Sequence, residues 1–236
     1  MSTVSGGWRG PNIIKDGLVL YLDAGSPNSF YSPTAGTTWK DISGNANNGT
    51  LTNGPTYSGT NGGSIVFDGV DDYVLCPKQT SLVNATKFTI TAWMKRSLSN
   101  SLVMISQLQS LDNDIALELW SDGNVYFEVG NGGNDYGFTA NNSTAWQYLT
   151  MVFDGTQTGN SNRLKGYING SLLTLAFNGT IPTITGTVNT NLNIGAYLPN
   201  NNYSKGNIAQ TSIYNRALSA AEILQNFNAT KTRFGL

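Results

Sequence analysis

Apolar and polar residues alternate along much of this chain with a period of two. The clearest run is "KFTITAWMK", residues 87–95. Phe88, Ile90, Ala92 and Met94 fall on one face and Thr89, Thr91 and Trp93 on the other. That period predicts a strand with two distinguishable faces. Shorter apolar runs that read as strands follow one another: "LVLYLDA", "SIVF", "DYVLC", "SLVMISQ", "IALELW", "VYFEV", "WQYLTMVFDG", "RLKGYI", "SLLTLAF", "LNIGAY" and "NIAQTSIYNRAL". Turn residues separate them. Asp122-Gly123 predicts a hairpin turn, and Asn169-Gly170 a type I′ turn, whose two central residues both need positive φ. One segment departs from the pattern. In "LSAAEILQNF", Ser219 precedes Glu222 by three residues, which is a capping box, and Leu218, Ile223, Leu224 and Phe227 can form an apolar stripe. Many short strands and one late helix predict an all-β, two-sheet antiparallel sandwich with a short C-terminal helix. The chain divides into a Gly-rich arm (1–13), one sandwich domain (14–229) and a tail (230–236).

Composition narrows the chemistry. A chain of 236 residues can bury a core without staples. Cys76 has no partner for a disulfide and lies in the apolar run "YVLCP", which reads as a buried, inert thiol. There is no histidine, so the commonest general base and the commonest zinc ligand are missing, and a Ser or Thr nucleophile lacks its usual base. Net charge is −1 with 11% charged residues, which gives no basic stripe for nucleic acid. No run of 18 apolar residues is present to span a membrane, and "MSTVSGGWRGPN" shows no apolar segment of a secretory signal.

Eight stretches come in a fixed order: "GLVLYLDA", "DISGNANNGTL", "SIVFDGVDDYV", "FTITAWMK", "WQYLTMVFDG", "KGYINGSL", "LNIGAY" and "IYNRALSAAEI". Together they resemble the laminin-G-like, concanavalin-A-like jelly rolls over residues 17–228. "GPNIIKDGLVLYLDAG" and "NFNATKTRFGL" resemble the variant found in tailed-phage virion proteins. The resemblance implies two curved sheets and a lectin-like or adhesive role, with calcium bound in some members. The family often carries an Asp shortly before "IYNRAL" that helps to hold calcium. Here Ala209 stands in that place, in "GNIAQTSIYNRAL".

Four constellations could carry chemistry. Asp68, Asp71 and Asp72 cluster in "FDGVDDYV". They suit a turn between two strands, a calcium site completed by Asp23 or Asp41, or a catalytic pair. The turn is the simplest reading, since "FDG" recurs at 153–155. Glu118 and Glu128, on adjoining strands of one hairpin, form the one carboxylate pair that can be built on a sheet face. With no acid alternating with either along its strand, a solvated face explains them more simply than a glycosidase pair. Tyr136 with Asn134, and Tyr197 with Asn201 and Tyr203, place aromatic rings beside amides in Asn/Gly-rich stretches, a combination suited to sugars. Trp8 and Arg9 in the arm, and Arg233 and Phe234 in the tail, have the character of docking residues.

The expected function is a non-enzymatic adhesion or decoration module on a virion, on the capsid surface or a tail or fibre. It would bind host-surface glycans or reinforce the particle, and pair with copies of itself or other virion proteins. No cofactor is expected, calcium being the one candidate. The alternatives are a glycan-degrading enzyme using Glu118 and Glu128, and a secreted lectin module.

Overall fold

The computed structural model describes residues 12–30, 36–99, 101–110, 112–198 and 201–236. Trp8 and Arg9 lie outside them. In chain order the strands are β1 (Leu18–Asp23), β2 (Thr38–Trp39), β3 (Gly49–Thr52), β4 (Thr56–Ser58), β5 (Ser64–Asp68), β6 (Tyr73–Cys76), β7 (Lys87–Arg96), β8 (Val103–Ser110), β9 (Asn113–Leu119), β10 (Asn124–Val129), β11 (Tyr136–Ala140), β12 (Gln147–Asp154), β13 (Leu164–Ile168), β14 (Ser171–Leu172), β15 (Ala176–Asn178), β16 (Leu192–Ile194), β17 (Ala196–Tyr197), β18 (Asn202–Tyr203) and β19 (Lys205–Tyr214). A helical turn, α1 (Asn160–Arg163), follows β12, and the longer helix α2 (Ala220–Thr230) follows β19.

Two antiparallel sheets result. One runs β14-β13-β12-β7-β19-β5-β4, with β1 also paired to β19, and the other runs β15-β11-β10-β9-β8-β16-β6-β3-β2. The expected alternation decides what lies between them. Phe88, Ile90, Ala92 and Met94 of β7 join Ile105, Leu117, Leu119, Val125 and Phe127 of the facing sheet in one buried core. The other face of β7 is also covered. Trp93, Trp146 and Tyr148 pack there with Phe227 of α2 and Phe234 beyond it, and Val152, Tyr167 and Tyr214 pack with Leu218 and Ile223. The capping box forms as the sequence implies, and Glu222 also makes a two-pronged bond to Arg216. Leu224, expected on the apolar stripe, is exposed.

The turn chemistry matches the sequence. Asn169 and Gly170 both have positive φ, 52° and 79°, between β13 and β14. Gly123 has φ of 85° in the turn joining β9 to β10. "SLLTLAF" is not one strand. It pairs with β13 over two residues, then crosses to the other sheet as β15.

The tail belongs to the domain. Phe234 stacks on Trp93 with ring centres 3.9 Å apart. The Arg233 guanidinium meets the Asp23 carboxylate at 2.6 Å and also donates to Gly63 O at 3.1 Å. The expectation that these two residues dock a partner is therefore corrected. They close the chain's own end onto its sheet.

Candidate functional site

The Asp68–Asp71–Asp72 cluster links β5 to β6, which lie in different sheets. Asp68 Oδ1 accepts the Val70 N–H at 2.8 Å, and Asp72 Oδ2 accepts the Asp68 N–H at 3.0 Å. These are turn caps, as the simplest reading holds. Asp68 and Asp71 are exposed, and one carboxylate oxygen from each of the three lies within 4.8 Å of the others. Asp23 does not complete a calcium set there. Its carboxylate is taken by Arg233, the Gly25 N–H and the Tyr21 hydroxyl. Asp41 is likewise committed, accepting the N–H of Tyr21 on β1 and those of Ser43 and Asn47 in its own loop. Ala209 is wholly buried in the apolar cluster around Trp93, so this position supplies no ligand.

A second acidic group lies on the outer face of the nine-stranded sheet. Along β9 the residues Ile115, Leu117 and Leu119 point into the core. Asp114, Ala116 and Glu118 therefore share the opposite face, because side chains alternate along a strand. On β10, Val125, Phe127 and Val129 point inward, which sends Tyr126 and Glu128 outward. The register pairs Glu118 with Tyr126 and Ala116 with Glu128. Glu128 thus sits opposite the smallest side chain of the row, diagonal to Asp114 on one side and to Glu118 on the other. Diagonal neighbours of this kind are about 7–8 Å apart at their Cα atoms, within reach of long side chains.

This face is not a solvated one. Asp114 is 1% exposed and Glu118 2%, and Glu128 is half-buried. Among the described residues no ion pair reaches any of the three. Asp114 Oδ1 and Glu118 Oε1 are buried without a hydrogen-bond partner. Burial, and then Glu128, push the Asp114 carboxyl up to about 9. Burial, followed by Glu128 and Asp114, pushes Glu118 well above the carboxylate range. Glu128 is raised by burial, while the proton that Asp114 holds works in the opposite direction by bonding to it. The packing around Asp114 is close. A Cβ on Gly130 would come within 2.6 Å of Asp114 Oδ1.

Aromatic rings surround these acids. A cavity of about 180 Å³ is lined by Glu118, Trp120, Tyr126, Glu128, Asn134 and Tyr136. Tyr126 stacks on Phe138 at 5.6 Å and meets Tyr136 edge-on at 5.3 Å. Its hydroxyl donates to Asp122 Oδ2 at 2.7 Å, which fixes the ring.

The structure brings together Tyr136 and Asn134, chosen for sugars, and Glu118 and Glu128, chosen as a catalytic alternative. It corrects two details. Tyr136 opens strand β11, paired with Glu128, where a loop was expected. Tyr197 is 4% exposed, packed against Met104 and Leu108, and offers no ring to a ligand at the surface. Its hydroxyl is held protonated by burial and then by Asp114, Glu128 and Glu118. Asn201 precedes strand β18 and Tyr203 lies within it, in the separate β17–β18 hairpin, and neither lines this cavity. Asp114, Trp120 and Tyr126 were missed. The alternation that places Phe88 and Trp93 on opposite faces also marks Asp114, Glu118 and Trp120 as one row, provided the strand is started before Ile115.

Comparison with known proteins follows this geometry. Trypanosoma rangeli sialidase in complex with sialic acid superposes with a TM-score of 0.64 at 16% identity, over 92% of this chain and 33% of that one. The binding domain of Paraclostridial Mosquitocidal Protein 1 gives 0.63 at 20% identity, over 91% and 52%. The chain thus spans a third to a half of those two structures. Domain 4 of AbnA, an extracellular arabinanase from Geobacillus stearothermophilus, solved with arabinotriose, gives 0.62 at 18% identity, over 89% of this chain and 98% of that one. At these identities the likeness is one of fold. No curated protein sequence matches the chain. The family model of the concanavalin A-like lectin/glucanases superfamily, laminin G type, matches residues 68–224, two thirds of the chain, and the chain belongs to that superfamily.

Proposed function

We propose that this chain binds glycans and that the cavity over β9, β10 and β11 is the combining site. The observation that carries this reading is the meeting of fixed aromatic rings with Glu118, a buried carboxyl with one unpartnered oxygen, and with Glu128 in one cavity. Rings such as Tyr126 and Tyr136 offer flat apolar surface to the C–H face of a sugar. Carboxyls and the Asn134 amide donate to and accept from hydroxyls. A neighbour in fold solved with arabinotriose supports the substrate class. The setting we propose is the surface or tail of a virion, where the chain serves adhesion or decoration without catalysis. The likeness of both ends to tailed-phage virion proteins supports that setting.

The test is a glycan array probed with the native chain and with Tyr136→Ala. Loss of the bound signals in the variant, with a melting point changed by only about 2 °C, supports the site. Retained binding places the combining site elsewhere.

A second reading, hydrolysis on the same face, is favoured by the meeting of Glu118 and Glu128 from adjoining strands at one cavity. A retaining glycosidase needs one protonated and one ionised carboxyl about 5–5.5 Å apart. Burial raises Glu118 well above the carboxylate range and raises Glu128 as well, so in this reading Glu118 is the acid of the pair. Release of reducing sugar from a polysaccharide panel, abolished by Glu118→Gln, would establish catalysis. A panel with no release returns the site to binding alone.

A further inference from the structure

Two buried carboxyls, Asp114 and Glu118, and the half-buried Glu128 share one sheet face with no lysine or arginine paired to any of them among the described residues. A buried acid without a partner is costly, and proteins ordinarily answer it with a cation. Here protonation of the acids takes the place of a partner, and a cation from outside would replace that proton. Glu118 lines the cavity with one oxygen buried and unpartnered, Glu128 lines it beside Glu118, and Asp114 stands behind Glu128. Above them are Trp120, Tyr126 and Tyr136. Carboxyls beneath and π-faces around form the chemistry that holds an organic ammonium group, since ring faces attract cations.

A metal ion fits less well. Divalent cations need several oxygens converging on one point. Among the described residues only Asp68, Asp71 and Asp72 gather three such oxygens, and that group lies elsewhere. An acidic sugar would add a further negative charge to a face that already crowds three acids.

We propose that the cavity selects a protonated primary amine carried on a sugar ring, so that its ligand is an amino sugar with a free ammonium group. This deepens the glycan reading and rests on it. The ammonium would sit between Glu118 and Glu128 while the ring lies against Tyr126 and Tyr136. A cavity of about 180 Å³ suits a single sugar ring more than an extended chain. The groups facing the ammonium are Asp114 and Glu118 from β9, Tyr126 and Glu128 from β10, Tyr136 from β11 and Tyr197 from β17, with Asp112 near Asp114. None of these can be positive. An arriving cation therefore favours ionisation of the carboxyls and expels a proton to solvent.

The experiment compares methyl glycosides of glucosamine, galactosamine and mannosamine with their N-acetylated and unsubstituted counterparts, by calorimetry at pH 6.5 in two buffers of different ionisation enthalpy. The expected result is at least tenfold tighter binding of one free amino sugar than of its N-acetyl form, with a buffer-dependent heat that reports proton release. Glu128→Gln should remove the preference for the amine and the proton release. Equal affinity for amine and N-acetyl forms overturns the ammonium inference and leaves the glycan reading intact. Failure of every sugar to bind, with heat from calcium chloride that Glu118→Gln abolishes, overturns both.

Discussion

Trp93→Ala tests whether the C-terminal segment is part of the domain's own fold. Trp93 is fully buried on the outer face of β7. Its ring lies 3.9 Å from Phe234, 5.3 Å from Tyr148 and 5.9 Å from Phe227, centre to centre. Its Nε1 donates to Thr230 Oγ1 at 2.8 Å. Deleting a buried Trp side chain costs about 3–5 kcal/mol. Losing the indole N–H adds little, because the Thr230 hydroxyl still donates to Asn226 O. Stacking on Phe234 and Phe227 adds about 0.5–1.5 kcal/mol for each pair. The expected loss is about 4–8 kcal/mol, which for a chain of this length lowers the melting point by roughly 8–32 °C.

The assay is urea unfolding followed by far-UV circular dichroism, since fluorescence would lose its own reporter. The midpoint should fall with the slope m unchanged. Phe234→Ala should cost about 3–4 kcal/mol by the same reasoning. The double variant should be more stable than the sum of the two losses implies, by about 1 kcal/mol or more, because the rings touch. A loss below about 1 kcal/mol for Trp93→Ala, or strict additivity with Phe234→Ala, would refute the placement of the tail on this face.

Other outcomes follow from the same contacts. Arg233→Ala strands Asp23 beneath the tail and should destabilise by about 1–3 kcal/mol, measured by the same unfolding assay. Stability should decline as pH rises from about 5 to 9. The folded state holds protons on Asp114, Glu118 and Glu128 that the unfolded chain has already released. This contribution is whole below the ordinary carboxylate range and is lost as pH passes upward through the folded values. In Glu118→Gln the decline should be shallower in a pH series of melting curves. Calcium and a chelator should give melting points within about 2 °C of each other, since the Asp68 turn closes on its own N–H groups. A clear rise with calcium would assign those three carboxylates to the ion.

Much of the fold was legible because its signals are local. Alternation set the faces of β7, paired positive-φ residues set the β13–β14 turn, and Ser219 with Glu222 set the start of α2. Long-range closure was not legible. Arg233 and Phe234 carry no periodicity, and only the folded chain shows that Asp23 and Trp93, more than a hundred residues away, receive them. The site was half legible. Tyr136 and Asn134 stood out by type, and Glu118 and Glu128 by their hairpin. Their convergence depends on register, because a shift of one residue would send Glu128 into the core. Tyr197 failed as a surface ring for a similar reason. Its Asn-rich surroundings signal exposure, yet β17 lies over β8, where the Ser106 hydroxyl donates to Ala196 O at 2.7 Å.

The acids on β9 and β10 also bear on why a sheet so apolar in its core keeps them at all. Replacing Asp114, Glu118 and Glu128 with apolar or amide side chains would relieve three desolvated carboxyls and, by general experience with buried charge, leave the domain as stable or more so. Nothing in the strand pairing asks for them. β9 and β10 hold their register through the Leu117, Leu119 and Phe127 side of the hairpin. Gly130 must stay bare beside Asp114 Oδ1, so the cost extends to a neighbouring position. Local arrangements that work against stability are expected where a chain meets its ligand. The Asp68 turn shows the contrast within the same molecule. Asp68 and Asp71 are in water, and Asp68 and Asp72 accept N–H groups of their own turn. A structural role explains Asp68 and Asp72, whereas it explains none of the three on the β9–β10 face. If Glu118→Gln proved less stable than the native chain at pH 8, the three carboxyls would be structural after all, and the cavity would lose its claim as the binding site.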